Sequence, residues 1–126
     1  MERQVITAPG LPPPIGPYVP AVRAGGFIFC SGIAGFDTSG RVIDGGIREQ
    51  TRQTLRNLEL VLRGAGCDLS YVVKVTIFLH DWKYFREMNE TYAEFFPENP
   101  PARSTAQGSR YPEGALVAME AIAVAP

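Results

Sequence analysis

Between Tyr71 and Leu79 the chain alternates Val73, Val75, Ile77 and Leu79 with Val72 and Phe78, so an extended segment here is apolar on both faces. Such a strand needs cover on both sides of its sheet, and that requirement constrains everything around it. Two segments read as helices. From Ile47 to Ala65 the apolar residues Leu55, Leu58, Leu62 and Ala65 recur at helical spacing, with Gly64 and Gly66 as a stop. After Asp81, placed as an N-cap, Phe85, Met88, Tyr92 and Phe95 form one apolar stripe that ends before Pro97, Pro100 and Pro101. Two helices cover only one face of a sheet. The other face stays apolar, and closure over it by a homo-oligomer is expected.

The remaining elements are strands. Val19 to Arg23 and Phe27 to Gly32 flank Gly25-Gly26, a tight hairpin because glycines tolerate positive φ. Ala102 to about Gly108 and Ala115 to Val124 flank a Pro112-Glu113-Gly114 turn. The order ββαβαββ gives an α+β fold, a mixed sheet with both helices on one face. Before it, Pro9 to Pro20 is proline-rich and predicts an extended arm packed on its own domain rather than a ligand for an aromatic groove.

The 126 residues, 45% of them apolar, suffice for one core, so a single domain over 1–126 is expected. Twelve Lys and Arg against thirteen Asp and Glu leave a net charge of -1 with no basic tract, which argues against nucleic-acid partners. No stretch has the roughly 18 apolar residues of a membrane span, and the start lacks a signal-peptide pattern. Cys30 and Cys67 form no C-x-x-C pair and read as packing residues, which suits a reducing compartment; a cytoplasmic protein is expected. One histidine, His80, and two separated cysteines supply no zinc ligand set, which leaves a carboxylate-held ion as the open alternative.

Charged residues inside strands are costly to bury without a partner, which draws attention to Arg103 and Glu120. The guanidinium of Arg103 is a planar fork that matches a carboxylate bidentately, either a ligand's or that of Glu120 in the same sheet. Glu120, between Met119 and Ala121, is a candidate general acid or base, or a paired structural carboxylate. Ser31 ends a strand where a hydroxyl and a backbone N–H could bind an oxyanion, or where the hydroxyl bonds its own turn. Asn89 lies one residue off the apolar stripe of the second helix and reads as helix surface, with Tyr92 as core.

Ile15-Gly16-Pro17-Tyr18, Cys30-Ser31-Gly32, Asn89-x-Thr91-Tyr92-x-x-Phe95-Phe96, Pro101-Ala102-Arg103-Ser104 and Glu120-Ala121-Ile122-Ala123-Val124 follow one another in that order. Together they resemble the Rid (YjgF) family of enamine and imine deaminases, over about Thr7 to Val124. The resemblance implies a chorismate-mutase-like fold and a homotrimer with its sites between subunits. It further implies cofactor-independent hydrolysis of a 2-imino or enamine acid to a 2-keto acid and ammonia. Arg103 would clamp the carboxylate of a small substrate, and Tyr18, Ser31, Gly32, Asn89 and Thr105 would line the same site. Thr105 stands where many relatives have Cys. In an ungapped reading Ala118 occupies the place of the glutamate thought to position water, with Glu120 two residues on and on the same strand face. Gln107 and Gly108 also depart from the bulkier residues usual there. These departures leave open a trimeric binding protein without hydrolysis, or an enzyme for a larger amino-unsaturated acid.

Overall fold

The computed structural model describes residues 2–108 and 112–126. Among these residues the secondary elements are β1 (Gln4–Ile6), β2 (Ala21–Ala24), β3 (Phe27–Ala34), α1 (Gly46–Gly64), β4 (Val72–Leu79), α2 (Phe85–Ala93), β5 (Ala102–Gln107) and β6 (Val117–Val124), with single 3-10 turns at Leu69–Tyr71 and Trp82–Tyr84. They form an α+β structure with one mixed six-stranded sheet in the order β1-β2-β3-β6-β4-β5. Only the β4–β5 pair is parallel. Its crossover is α2.

Alternation along the central strands sorts side chains between two faces. Val75, Ile77 and Leu79 of β4 and Val117, Met119, Ala121 and Ala123 of β6 point into the core and are almost wholly buried. They meet Leu55, Leu58 and Leu62 of α1 and Met88 and Tyr92 of α2 in one cluster. The opposite face is open. It carries Phe27 and Phe29 of β3 and Val124 of β6, each more than two-fifths exposed, together with the exposed Glu120 and the half-buried Lys74, Thr76 and Phe78. The β4 run is therefore covered on its helical side, and its other side is less apolar than the sequence pattern implied, since Lys74 and Thr76 share it with Phe78.

Two details differ from expectation. β1 was not foreseen: of its three residues only Ile6 is buried, too short a pattern to register as alternation. Asp81 caps the 3-10 turn instead of the second helix, accepting from the Lys83 amide at 2.8 Å, and α2 begins only at Phe85. With β1 the sheet has six strands where the order read from the sequence has five. The proline arm does lie on its own domain, with Leu11 against the core. At the β2–β3 hairpin, Gly25 and Gly26 have φ of 57° and 83°, left-handed values a two-residue turn requires.

Candidate functional site

The half of the site built around Arg103 is set by strand parity and helix period. In the parallel register Arg103 lies beside Val75 and Thr105 beside Ile77, so both side chains fall on the helical side of the edge strand β5. Facing them, Phe85, Asn89 and Tyr92 stand at i, i+4 and i+7 of α2, one helical face. The half-buried Arg103 guanidinium carbon lies 4.9 Å from the centroid of the Tyr92 ring and 5.8 Å from that of Phe85. Trp82 stacks on Phe85, the ring centroids 4.4 Å apart at 14°, and its amide donates to Gln107 Oε1 at 2.6 Å.

Two polar atoms here have no partner among the described residues: the Tyr92 hydroxyl and Asn89 Oδ1 are both buried and unbonded. Burial pushes the Tyr92 phenol up to about 12, against a smaller downward pull from the positive Arg103. The ring is therefore neutral near pH 7. Among the described residues Arg103 takes part in no ion pair. The alternative of an Arg103–Glu120 pair is thereby overturned, for a plain geometric reason. Glu120 stands opposite Thr76 in the antiparallel register and projects from the open face, whereas Arg103 projects from the helical one.

A second half gathers at β3. Cys30 pairs with Ala121 and Ile33 with Met119, so Ser31 and Gly32 together face the single residue Glu120 across a β-bulge. Ser31 is fully engaged: its hydroxyl donates to the Val19 carbonyl at 2.6 Å and its amide to the Pro20 carbonyl at 3.0 Å. Both partners lie in the segment that leads into β2 and not in a turn of its own, since Ser31 sits inside β3, and its amide is not free for an oxyanion. Ser31, Gly32 and Tyr18 line one end of a cleft of about 180 Å³ under the proline arm, walled by Leu11, Ile33 and Phe36. Tyr18 itself is 48% exposed. Ala118 is 9% exposed and packs against Ala34 and Ala115, with Phe36 and Val42 beside them.

Arg103, Thr105 and Asn89 thus share one location and Tyr18, Ser31 and Gly32 a second, while Glu120 stands apart on the open face beside Phe29, Lys74 and Thr76. Within one chain the first two do not meet: β6 and β4 lie between β3 and β5, about 14 Å of sheet. Sequence reasoning missed Phe85 and Tyr92 as site residues because an apolar stripe reads as core. The available signal was their shared helical face with Asn89.

Two buried amides on α1 were also missed. Asn57 donates to the Ala34 and Phe36 carbonyls, both at 3.0 Å, and Gln50 holds Gly114 and Leu116 at the entry to β6. Both fasten loops that frame the cleft. Both thiols are buried, and desolvation raises Cys30 to about 12, which leaves it unreactive. Among the described residues no group of three or more His, Cys, Asp and Glu is placed to hold a metal ion, and no helix is long and apolar enough to cross a membrane.

Comparison with known proteins adds a consistent set of relatives. The family model described as Endoribonuclease L-PSP matches residues 9–125. A RutC family protein of Pyrococcus horikoshii is 44% identical over 122 residues, 96% of this chain and 97% of its own. The human 2-iminobutanoate/2-iminopropanoate deaminase is 40% identical over 123 residues, 97% of this chain and 90% of its own. The crystal structure of the YjgF gene product of E. coli superposes with a TM-score of 0.89 at 34% identity, covering 98% of this chain and 99% of that one.

Proposed function

The chain belongs to the endoribonuclease L-PSP family, which includes the Rid and YjgF proteins, and on that footing we propose that it hydrolyses a reactive 2-imino or enamine carboxylic acid to a 2-keto acid and ammonia. The observation that carries this reading is the Arg103 fork, half-buried and free of any protein carboxylate among the described residues. A guanidinium so placed binds a ligand carboxylate through two charge-assisted hydrogen bonds and orients the adjacent C=N carbon. Asn89 Oδ1, unbonded in the same place, can accept from the imine nitrogen's proton.

Water adds to the imine carbon and one of its protons passes to nitrogen; the second passes from the carbinolamine hydroxyl to the amine as the C–N bond breaks and the C=O bond forms. Ammonia leaves and the keto acid remains. We assign the handling of the water to Glu120, supported by the register that sets it across from the Ser31–Gly32 bulge. Since Arg103 and Glu120 project from opposite faces of one sheet, the reading requires a second copy of the chain to complete each site. Homotrimer formation over the open face, with its exposed Phe27, Phe29 and Val124, would supply this and bury those rings.

A second reading is favoured by Ala118. No carboxylate stands at that position, and its surroundings are alanines and the Phe36 and Val42 side chains. The same fold would then bind a carboxylated metabolite without hydrolysing it. RNA cleavage, which the family description names, has less support here. The helical-side arginines Arg48, Arg52 and Arg86 are paired with Glu49, Glu87, Glu90 and Glu94, so that surface has no surplus positive charge for phosphates.

The test is calorimetric titration with 2-oxobutanoate beside an assay of ammonia release from 2-iminobutanoate generated in situ. Saturable binding with accelerated release supports the deaminase; binding without acceleration supports the second reading.

A further inference from the structure

Among the described residues Arg103 has no carboxylate partner of the kind a half-buried arginine ordinarily has. Its guanidinium meets two ring faces instead of an oxygen, Tyr92 at 4.9 Å and Phe85 at 5.8 Å. The two rings are seven residues apart on α2, roughly 10 Å along the axis at 1.5 Å per residue, so the guanidinium bridges them. This arrangement differs chemically from an ion pair. A carboxylate would occupy the in-plane N–H donors, whereas a ring face stabilises the charge from above the plane and leaves those donors available. Tyr92 is 6% exposed and braced against Phe96, with ring centroids 4.7 Å apart, so its position is fixed by the core. Phe85 is held from outside by the stacked Trp82.

We propose that Tyr92 and Phe85 are positioning residues that hold the Arg103 fork through their ring faces, in place of a protein carboxylate, so that its N–H donors stay free for the carboxylate of the ligand. The inference rests on the carboxylate-clamp reading above and adds to it the device that keeps the clamp empty and oriented. Two further observations agree. Burial keeps the Tyr92 phenol neutral, so no phenolate serves as counter-ion. Its hydroxyl is unbonded, so the Tyr92–Arg103 contact is through the ring and not through oxygen.

The experiment compares wild type, Tyr92→Phe, Tyr92→Leu, Phe85→Leu and Arg103→Ala, each checked for a native circular-dichroism spectrum. Two properties are read: the dissociation constant for 2-oxobutanoate, and the Arg103 Nε–Hε proton resonance, which ring currents displace when the group lies over an aromatic face. Removing the ring at 92 should weaken binding about ten-fold and move the Arg103 resonance toward its random-coil position, while Tyr92→Phe stays within about three-fold of wild type. Phe85→Leu, at the longer contact and only half-buried, should shift both properties in the same direction by less, and it remains informative if Tyr92→Leu fails to fold. Wild-type affinity in Phe85→Leu and in any folded Tyr92→Leu would overturn the proposal, as would a Tyr92→Phe variant as impaired as one lacking the ring. A wild type that binds no 2-oxo acid, with its Arg103 resonance still ring-shifted, would instead overturn the clamp reading and the ligand half of the proposal with it.

Discussion

Gln50 is 4% exposed on α1, and its amide serves three backbone groups. Nε2 donates to the Gly114 carbonyl at 3.0 Å and to Ile43 at 3.3 Å, and Oε1 accepts from the Leu116 amide at 2.8 Å. Gln50→Leu keeps the bulk and removes all three contacts. Each buried backbone group left without a partner costs about 1–3 kcal/mol. The Ile43 contact is the longest and its loop can turn to water, so the loss is dominated by Gly114 and Leu116 and comes to about 3 kcal/mol. That is a large part of the roughly 5–15 kcal/mol that holds a domain together. In a chain of this length it should lower the melting temperature by about 10 °C. Urea unfolding followed by circular dichroism at one fixed protein concentration gives the value, because self-association would add a concentration-dependent contribution. Gln50→Glu is a useful companion: it retains the acceptor for Leu116 but sets a carboxylate against two carbonyl oxygens, and should cost at least as much. A Gln50→Leu variant within about 1 kcal/mol of wild type would refute the assignment of these bonds as what fastens the β6 entry to α1.

Three other perturbations separate causes in the same way. A methyl group at Gly64 would fall on the Thr7 carbonyl oxygen, so Gly64→Ala should destabilise by about 1–3 kcal/mol and speed hydrogen exchange in β1, although helix propensity alone favours alanine by up to about 1 kcal/mol. Net stabilisation would show that the two backbones do not meet there. Burial raises Cys30 from 9.0 and Tyr92 from 10.0, each to about 12, so the folded chain retains protons that the unfolded chain releases. Stability should hold below about pH 9 and fall as pH rises from 9 toward 12, and urea midpoints unchanged across that window would contradict it. Arg103→Lys keeps the charge and loses the planar fork; KM for an imino acid should rise at least about ten-fold, and a change under two-fold would argue against bidentate binding.

Local pattern made the helices and central strands legible. Leu55, Leu58 and Leu62 are all fully buried where their spacing placed them, and Val75, Ile77 and Leu79 line the core as their alternation required. Gly25-Gly26 also marked its hairpin. What the pattern could not contain was parity between distant strands. Whether Arg103 and Glu120 share a face depends on β6 being inserted between β3 and β4 and on the parallel register of β5, neither of which a single strand encodes. The same holds for Phe85 and Tyr92, which read as core until β5 brings an arginine over them. Gln50 and Asn57 were invisible for a related reason: a polar residue on an amphipathic helix defaults to the surface, and only the loops at Gly114 and Ala34 reveal otherwise. The charge inside a strand singled out Arg103 and the resemblance gave it a role, but the bulge that pairs Ser31–Gly32 with Glu120 became apparent only from the strand register.

The most direct test of the account is the rate of ammonia release from 2-iminobutanoate and 2-iminopropanoate formed in situ by an amino-acid oxidase, measured for wild type, Arg103→Ala and Glu120→Gln. The account expects wild type to exceed the spontaneous rate and Arg103→Ala to fall back to it, while Glu120→Gln lowers kcat with KM little changed. Full activity in Arg103→Ala, or a wild type no faster than the uncatalysed reaction, would contradict it.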